Sequence, residues 1–335
     1  FALQKWGENC LNIIDGQFAF AYYNKKENSL LIARDHVGIC PLYISNDQNK
    51  FIFSSEIKPI LNLKKSTIDK QGIIDYFSFR YNIQNGHTLF SNIKRFHPAH
   101  YTKIDLNNHK IIEKRYWRLS FQENDYDNID LQDYFNKILD NEINKQTISD
   151  VPLGMYLSGG IDSGALLHGF SKYISPINTF TIGFSESDGD FQRVNNLHRK
   201  LNFNKNIIPF NIDLMRDIED IVFSLEEPFG DLIISANYVL SKFASKHVKV
   251  VLSGEGGDEA FFGYDHQRAF LRMFNYSKNP LANYLMKFSL NILPAKVIAL
   301  ANNYPGGFSI NELNQIRETY SNISNPSSAY INLIS

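Results

Sequence analysis

Val151-Pro152-Leu153-Gly154-Met155-Tyr156-Leu157-Ser158-Gly159-Gly160-Ile161-Asp162-Ser163-Gly164 decides how this chain is read. An apolar run of strand length ends at Leu157 and a Ser-Gly-Gly turn follows. Ala165, Leu166, Leu167, Phe170 and Tyr173 then recur at helical spacing. Strand, glycine loop and helix in that order gather backbone N–H groups at the positive end of a helix macrodipole, a seat for a phosphate or pyrophosphate. A lone Gly-Gly pair reads more often as a tight turn between a buried strand and a helix. The Ser-Gly-Gly-x-Asp-Ser grouping favours the phosphate seat. No Gly-Lys-Ser/Thr follows four residues after a first glycine, and the Gly-x-Gly-x-x-Gly fingerprint is absent.

Composition sets the outer bounds. The chain has 335 residues, 43% of them hydrophobic, which is enough for two cores. A net charge of -1 gives no footprint for a nucleic acid or an acidic membrane surface. Two cysteines, Cys10 and Cys40, form no CxxC pair and no disulfide framework, and both read as small buried apolar residues. No apolar stretch reaches the ~18 residues of a membrane span, and the N-terminus lacks a signal-peptide pattern, so the expected location is cytoplasmic. The chain starts at Phe1 and ends at Ser335, and reads as a fragment.

Working outward, residues 178–184 and 205–210 read as further strands, with a helix near residues 194–201 between them. A fourth strand, residues 248–252, runs into Ser253-Gly254-Glu255-Gly256-Gly257-Asp258-Glu259. Alternating strands and helices predict a doubly wound parallel sheet with ligands at the carboxyl ends of its strands. Three glycines among three carboxylates suit the Mg²⁺ that accompanies a polyphosphate; a solvated acidic turn is the less favoured alternative. Upstream, Asp130 caps a helix whose stripe Leu131, Tyr134, Phe135, Ile138, Leu139 and Ile143 reads as core packing. Residues 122–130 read as a linker.

The first part of the chain is β-rich. Residues 17–23 and 29–33 form a hairpin with Phe18, Phe20 and Tyr22 on one face, and residues 42–45 and 51–54 are two more strands. Helices are expected at residues 56–63 and 71–81. Arg34-Asp35 alone reads as a surface ion pair. His97, His100 and His109 have no metal-ligand spacing around them.

Residues 158–163 resemble the pyrophosphate loop of the ATP pyrophosphatase superfamily, and residues 253–259 with Gly263-Tyr264 resemble the Ser-Gly-Glu-Gly-x-Asp-Glu segment of asparagine synthetases. Asp15-Gly16-Gln17-Phe18-Ala19-Phe20-Ala21, residues 34–43 and Ser54-Ser55-Glu56-Ile57-Lys58 resemble the second half of a class II glutamine amidotransferase domain. Pro98-Ala99 stands where the synthetases usually have Pro-Gly. The likeness implies an α/β chain: residues 1–118 a partial, β-rich sandwich of glutaminase type lacking its N-terminal cysteine nucleophile, 119–130 a linker, and 131–335 an ATP pyrophosphatase-type synthetase domain, C-terminally incomplete. Cys10 is internal, without the free α-amino group that serves as base, and is no substitute nucleophile.

The resemblance further implies ATP-dependent amidation of a carboxylate, with aspartate as acceptor, glutamine or ammonia as nitrogen source, and an acyl-AMP intermediate. Ser158, Gly159, Gly160 and Ser163 match pyrophosphate-holding positions, and Asp162 and Asp258 are the Mg²⁺ candidates. Ser253 and Gly254 match residues contacting ATP, and Tyr156 and Ile182 match the lining of the adenine pocket. Glu255 matches the glutamate that helps deprotonate the attacking ammonia. Glu226-Glu227-Pro228-Phe229-Gly230-Asp231 matches a segment lining the substrate site, and a capped surface loop explains it nearly as well. A homodimer is compatible with the likeness. A related amide-forming ligase with another acceptor and a non-catalytic scaffold remain the alternatives.

Overall fold

The computed structural model describes the chain except residues 48–49, 82–85, 121–128, 184–188, 211–213, 232, 293–309 and 335. Most of the linker reading therefore lies outside the described residues. The chain forms two compact units, one of residues 1–134 with 212–238 and one of 135–211 with 239–335.

Unit 1 opens with α1 (Ala2–Trp6) and a 3-10 turn (Gly7–Asn12), then β1 (Ala19–Asn24), β2 (Ser29–Arg34), β3 (Tyr43–Asn46), β4 (Phe51–Ser54), α2 (Ile57–Leu63), α3 (Lys70–Phe79), β5 (Lys94–Arg95), β6 (His100–Asp105) and β7 (Ile111–Arg115). Two antiparallel sheets result, ordered β1-β2-β6-β7 and β4-β3-β5. The period of two in β2 explains their packing. Leu31 and Ala33 join Phe18, Phe20 and Tyr22 on one side, while Leu30 and Ile32 meet Leu42, Ile44, Phe51 and Phe96 on the other. This is the expected β-rich sandwich, and the hairpin pairs Ala21 with Ile32.

Arg34 and Asp35 correct the surface-pair reading, since they are only 6% and 1% exposed. The Arg34 guanidinium donates to the carbonyls of Gly38 at 2.6 Å, Cys40 at 2.7 Å and Phe96 at 2.6 Å. Asp35 accepts from the amides of Val37, Gly38, Ile39 and Cys40 at 2.7–3.2 Å. A tight loop turned inward has backbone groups to satisfy, and these two side chains do it. Ala99 takes φ 57, so the left-handed turn that suits the family's glycine survives with a Cβ.

Unit 2 begins within α4 (Leu131–Gln146), followed by β8 (Leu153–Tyr156), α5 (Ile161–Phe170), β9 (Ile177–Gly183), α6 (Gly189–His198) and β10 (Phe203–Pro209). After α7 (Leu214–Leu225) in unit 1, α8 (Ile233–Ala244) leads back to β11 (Val250–Leu252), α9 (Gly257–Phe261), α10 (Asp265–Lys278), α11 (Pro280–Ile292), α12 (Ile310–Ser321) and α13 (Pro326–Ile334). The sheet is parallel, ordered β10-β9-β8-β11, and buried on both faces, which makes it doubly wound. Leu153, Met155 and Leu157 pack with Leu167, Phe170 and Val194, while Phe180 and Ile208 pack with Leu240, Ala244 and Val248. Asp130 caps α4 through the amides of Gln132 and Asp133, at 3.0 and 3.1 Å. Only the second half of its stripe is core: Leu139 and Ile143 pack inward, whereas Leu131, Tyr134, Phe135 and Ile138 are exposed. Among the described residues no helix is long and apolar enough to cross a membrane.

Candidate active site

The strand order reverses between β8 and β11, so their carboxyl ends flank a topological switch point, where open α/β sheets leave a crevice. Both glycine loops emerge there, since residues 158–160 follow β8 and residues 253–256 follow β11. The first is held from below: Leu157 N donates to Phe180 O at 3.0 Å, and Thr181 Oγ1 to Leu157 O at 2.7 Å. Gly159 turns the chain at φ 74, and a Cβ there would lie 2.8 Å from Arg193 Cβ, so any other residue would be strained and crowded. Ser158 Oγ lies 3.0 Å from Ser163 Oγ and accepts from Gly160 N at 3.2 Å. Gly160 stands at the N-cap of the ten-residue α5 and supplies no side-chain cap. The first-turn amides are thus not taken up by a capping side chain, as an anion seat requires.

The second loop touches the first. A Cβ at Gly254 would lie 3.3 Å from Ser163 N and 3.4 Å from Asp162 Cβ, and one at Gly257 would lie 2.9 Å from Asp162 Oδ2. Two segments about ninety residues apart therefore meet at Asp162 and Ser163. Ser163 is buried, whereas Ser158, Asp162, Ser253, Glu255, Asp258 and Glu259 are exposed. Tyr264 donates to Glu259 at 2.9 Å, and that bond, with burial and the charges of Glu259, Asp258 and Glu255, pushes the phenol up to about 12. The rim is electronegative. Among the described residues no group of three His, Cys, Asp or Glu side chains is arranged to hold a metal alone. Asp162 lies where the two loops meet, whereas the Asp258 carboxylate lies against Gly263; Mg²⁺ takes one or two carboxylates and completes its shell with phosphate oxygens and water, a need that Asp162 alone could begin to meet.

Tyr156 ends β8 and Ile182 lies in β9, both partly buried beside Phe180 and Leu240. The Tyr156 hydroxyl lies 2.8 Å from Ser241 Oγ, which fixes the ring. Sequence reading missed the far wall of the first loop. A cavity of about 300 Å³ is lined by Gly159, Gly160 and Gly164 on one side and by Arg193, Asn196 and Lys200 on the other. Arg193 is ion-paired with Asp190. Arg193 and Asn196 lie on α6 and Lys200 in the turn just after it, a run of polar residues visible in the sequence but usually just a solvated surface. Cys10 is 1% exposed and burial pushes its thiol up, so it is an inert packing residue. Glu226 and Glu227 have their carboxylates bound to residues of unit 1.

Residues 135–309 match the family model described as asparagine synthase, and residues 1–117 match that of a glutamine amidotransferase domain. A putative glutamine-hydrolysing asparagine synthetase 2 of Methanocaldococcus jannaschii is 32% identical over 270 residues, 78% of this chain and 52% of that protein. Glutamine-hydrolysing asparagine synthetase 1 of Bacillus subtilis is 30% identical over 278 residues, 82% of this chain and 43% of that protein. The chain spans about half the length of these relatives. With two glycine loops meeting at the switch point of a doubly wound sheet, the chain belongs to the asparagine synthase family, and its first 117 residues match a glutamine amidotransferase domain.

Proposed function

We propose that the whole protein is a glutamine-dependent carbon–nitrogen ligase that converts aspartate to asparagine. The observation that carries this reading is the approach of Gly254 and Gly257 to Asp162 and Ser163, which builds one acidic and amide-rich crevice from two separate loops. ATP is the nucleotide this crevice suits, with Tyr156 and Ile182 beside the base, and Ser253 and Gly254 along the nucleotide. Ser158, Gly159, Gly160 and Ser163 cradle the β- and γ-phosphates with N–H and hydroxyl donors. Asp162, with Asp258 from the second loop, would hold Mg²⁺, which would supply neutralisation of the phosphate charge.

The aspartate side-chain carboxylate attacks the α-phosphorus, giving acyl-AMP and pyrophosphate. Ammonia, supplied by glutamine hydrolysis, then adds to the acyl carbon. Glu255 takes a proton from the attacking nitrogen, and AMP leaves. Donors fixed before the reaction stabilise charge without reorganising, and each is worth about 3 kcal/mol in such sites.

The test uses the full-length protein with ATP and ammonium, following pyrophosphate release with aspartate and with a panel of other carboxylates. Aspartate is expected to drive release, and Asp258→Asn to lower it at least 100-fold. Near-normal release by Asp258→Asn would remove the metal role. Preference for another carboxylate would change the acceptor.

A further inference from the structure

The first glycine loop has neighbours of opposite charge on its two sides, all of them within unit 2. On one side stand Asp162 and the second loop, which carries Glu255, Asp258 and Glu259. On the other stands α6. A polyphosphate brings more negative charge to a rim that is already acidic, so holding one here calls for cations from the protein. Among the described residues lining the cavity beside the loop, Arg193 and Lys200 are those cations. The volume of about 300 Å³ is at the small end of ligand sites.

Arg193 is rooted against the loop. A Cβ on Gly159 would lie 2.8 Å from Arg193 Cβ, 3.2 Å from Asp190 O and 3.3 Å from Val194 N, so the turn at Gly159 rests directly on the first turns of α6. Val194 is fully buried in the cluster of Met155, Leu157 and Leu167, which fixes the helix at this level. The guanidinium is not fixed in the same way. It is exposed, and its partner is Asp190 in the first turn of the same helix. Exposed pairs at this spacing are weak, whereas the planar fork of arginine takes two phosphate oxygens at once. Lys200, exposed in the turn after α6, offers a point charge without that fork.

We infer that Arg193 is a pyrophosphate-binding residue, which exchanges Asp190 for the β- and γ-phosphates of the nucleotide. This role rests on the proposed function, and it adds to the glycine loop a side chain from a second helix. As the acceptor carboxylate oxygen bonds to the α-phosphorus, the bond from that phosphorus to the bridging oxygen breaks, and its electron pair leaves on pyrophosphate. A guanidinium on the departing phosphates neutralises the charge they gain. Asp190 is the positioning partner, keeping the guanidinium beside the loop until a phosphate replaces it.

In the full-length protein, calorimetric titration with inorganic pyrophosphate in magnesium buffer is expected to show binding about tenfold weaker in Arg193→Ala, and about threefold weaker in Arg193→Lys, which keeps the charge and loses the fork. Affinity for AMP, which lacks the β- and γ-phosphates, is expected to stay within about twofold of wild type in both variants. Asp190→Asn frees the guanidinium and is expected to bind pyrophosphate as tightly as wild type, or up to about threefold more tightly. With ATP, aspartate and ammonium, kcat for pyrophosphate release is expected to fall about tenfold in Arg193→Ala. The alanine keeps the Cβ that abuts Gly159, which protects the loop. Wild-type pyrophosphate affinity in Arg193→Ala, a parallel loss of AMP affinity, or weaker pyrophosphate binding in Asp190→Asn would overturn the assignment. Absence of pyrophosphate release by the wild type with every carboxylate tried would instead overturn the function on which it rests.

Discussion

A carboxylate that is 1% exposed needs donors, and Asp35 accepts from four backbone amides. Burial opposes its charge, yet the amides of Cys40, Ile39, Gly38 and Val37 hold the carboxyl below the usual range. A folded pKa below the unfolded one adds stability above the unfolded value, about 3.9, that is lost as pH falls through the folded value. Asp35→Asn turns one acceptor into a donor facing Cys40 N and is expected to cost about 2 kcal/mol at pH 7. Denaturant titration should show that deficit narrowing below about pH 4; a pH-independent deficit would place the effect elsewhere. The sequence offered only an Arg-Asp pair at this spot. Which groups those side chains meet depends on Phe96 lying beside them, 62 positions from Arg34, and a neighbour so far away in sequence is fixed by folding alone.

Among the elements, α6 shows a face whose meaning changes with its neighbour. Arg193 and Asn196, with Lys200 in the turn after α6, read as solvated until the loop at 158–160 is laid against them, when they become the wall of a cavity beside that glycine loop. An exposed lysine near a polyphosphate is worth on the order of 1 kcal/mol and is screened by salt. Lys200→Ala in the full-length enzyme is expected to raise the KM for ATP about fivefold at low ionic strength, with kcat little changed, and the defect should shrink in high salt. Equal KM values in both buffers would remove Lys200 from the site. α4 errs the other way, because its apolar stripe predicts a core along its whole length while only Leu139 and Ile143 find one. Helical periodicity says which residues share a face, not what that face meets.

On the scale of the molecule, the units are not two consecutive pieces of chain. Residues 212–238 complete unit 1, so a cut between the two family-model spans removes the partners of Ile57, Lys58, Leu89 and Arg95. Residues 1–134 expressed alone are expected to melt several degrees below the corresponding transition of the intact chain, since losing two buried carboxylates that cap backbone donors costs a few kcal/mol. Equal midpoints by calorimetry would show that the segment adds nothing to this unit. The sequence by itself determined the first hairpin, the doubly wound sheet and the two glycine loops, because alternation, helical spacing and turn chemistry are local and repeat within a few residues. Only the tertiary structure decided that Asp162 and Ser163 meet Gly254 and Gly257, and that Glu226 and Glu227 turn to backbone amides of the first unit. A buried carboxylate takes whichever donors the packed chain leaves beside it, and no local pattern records which those are.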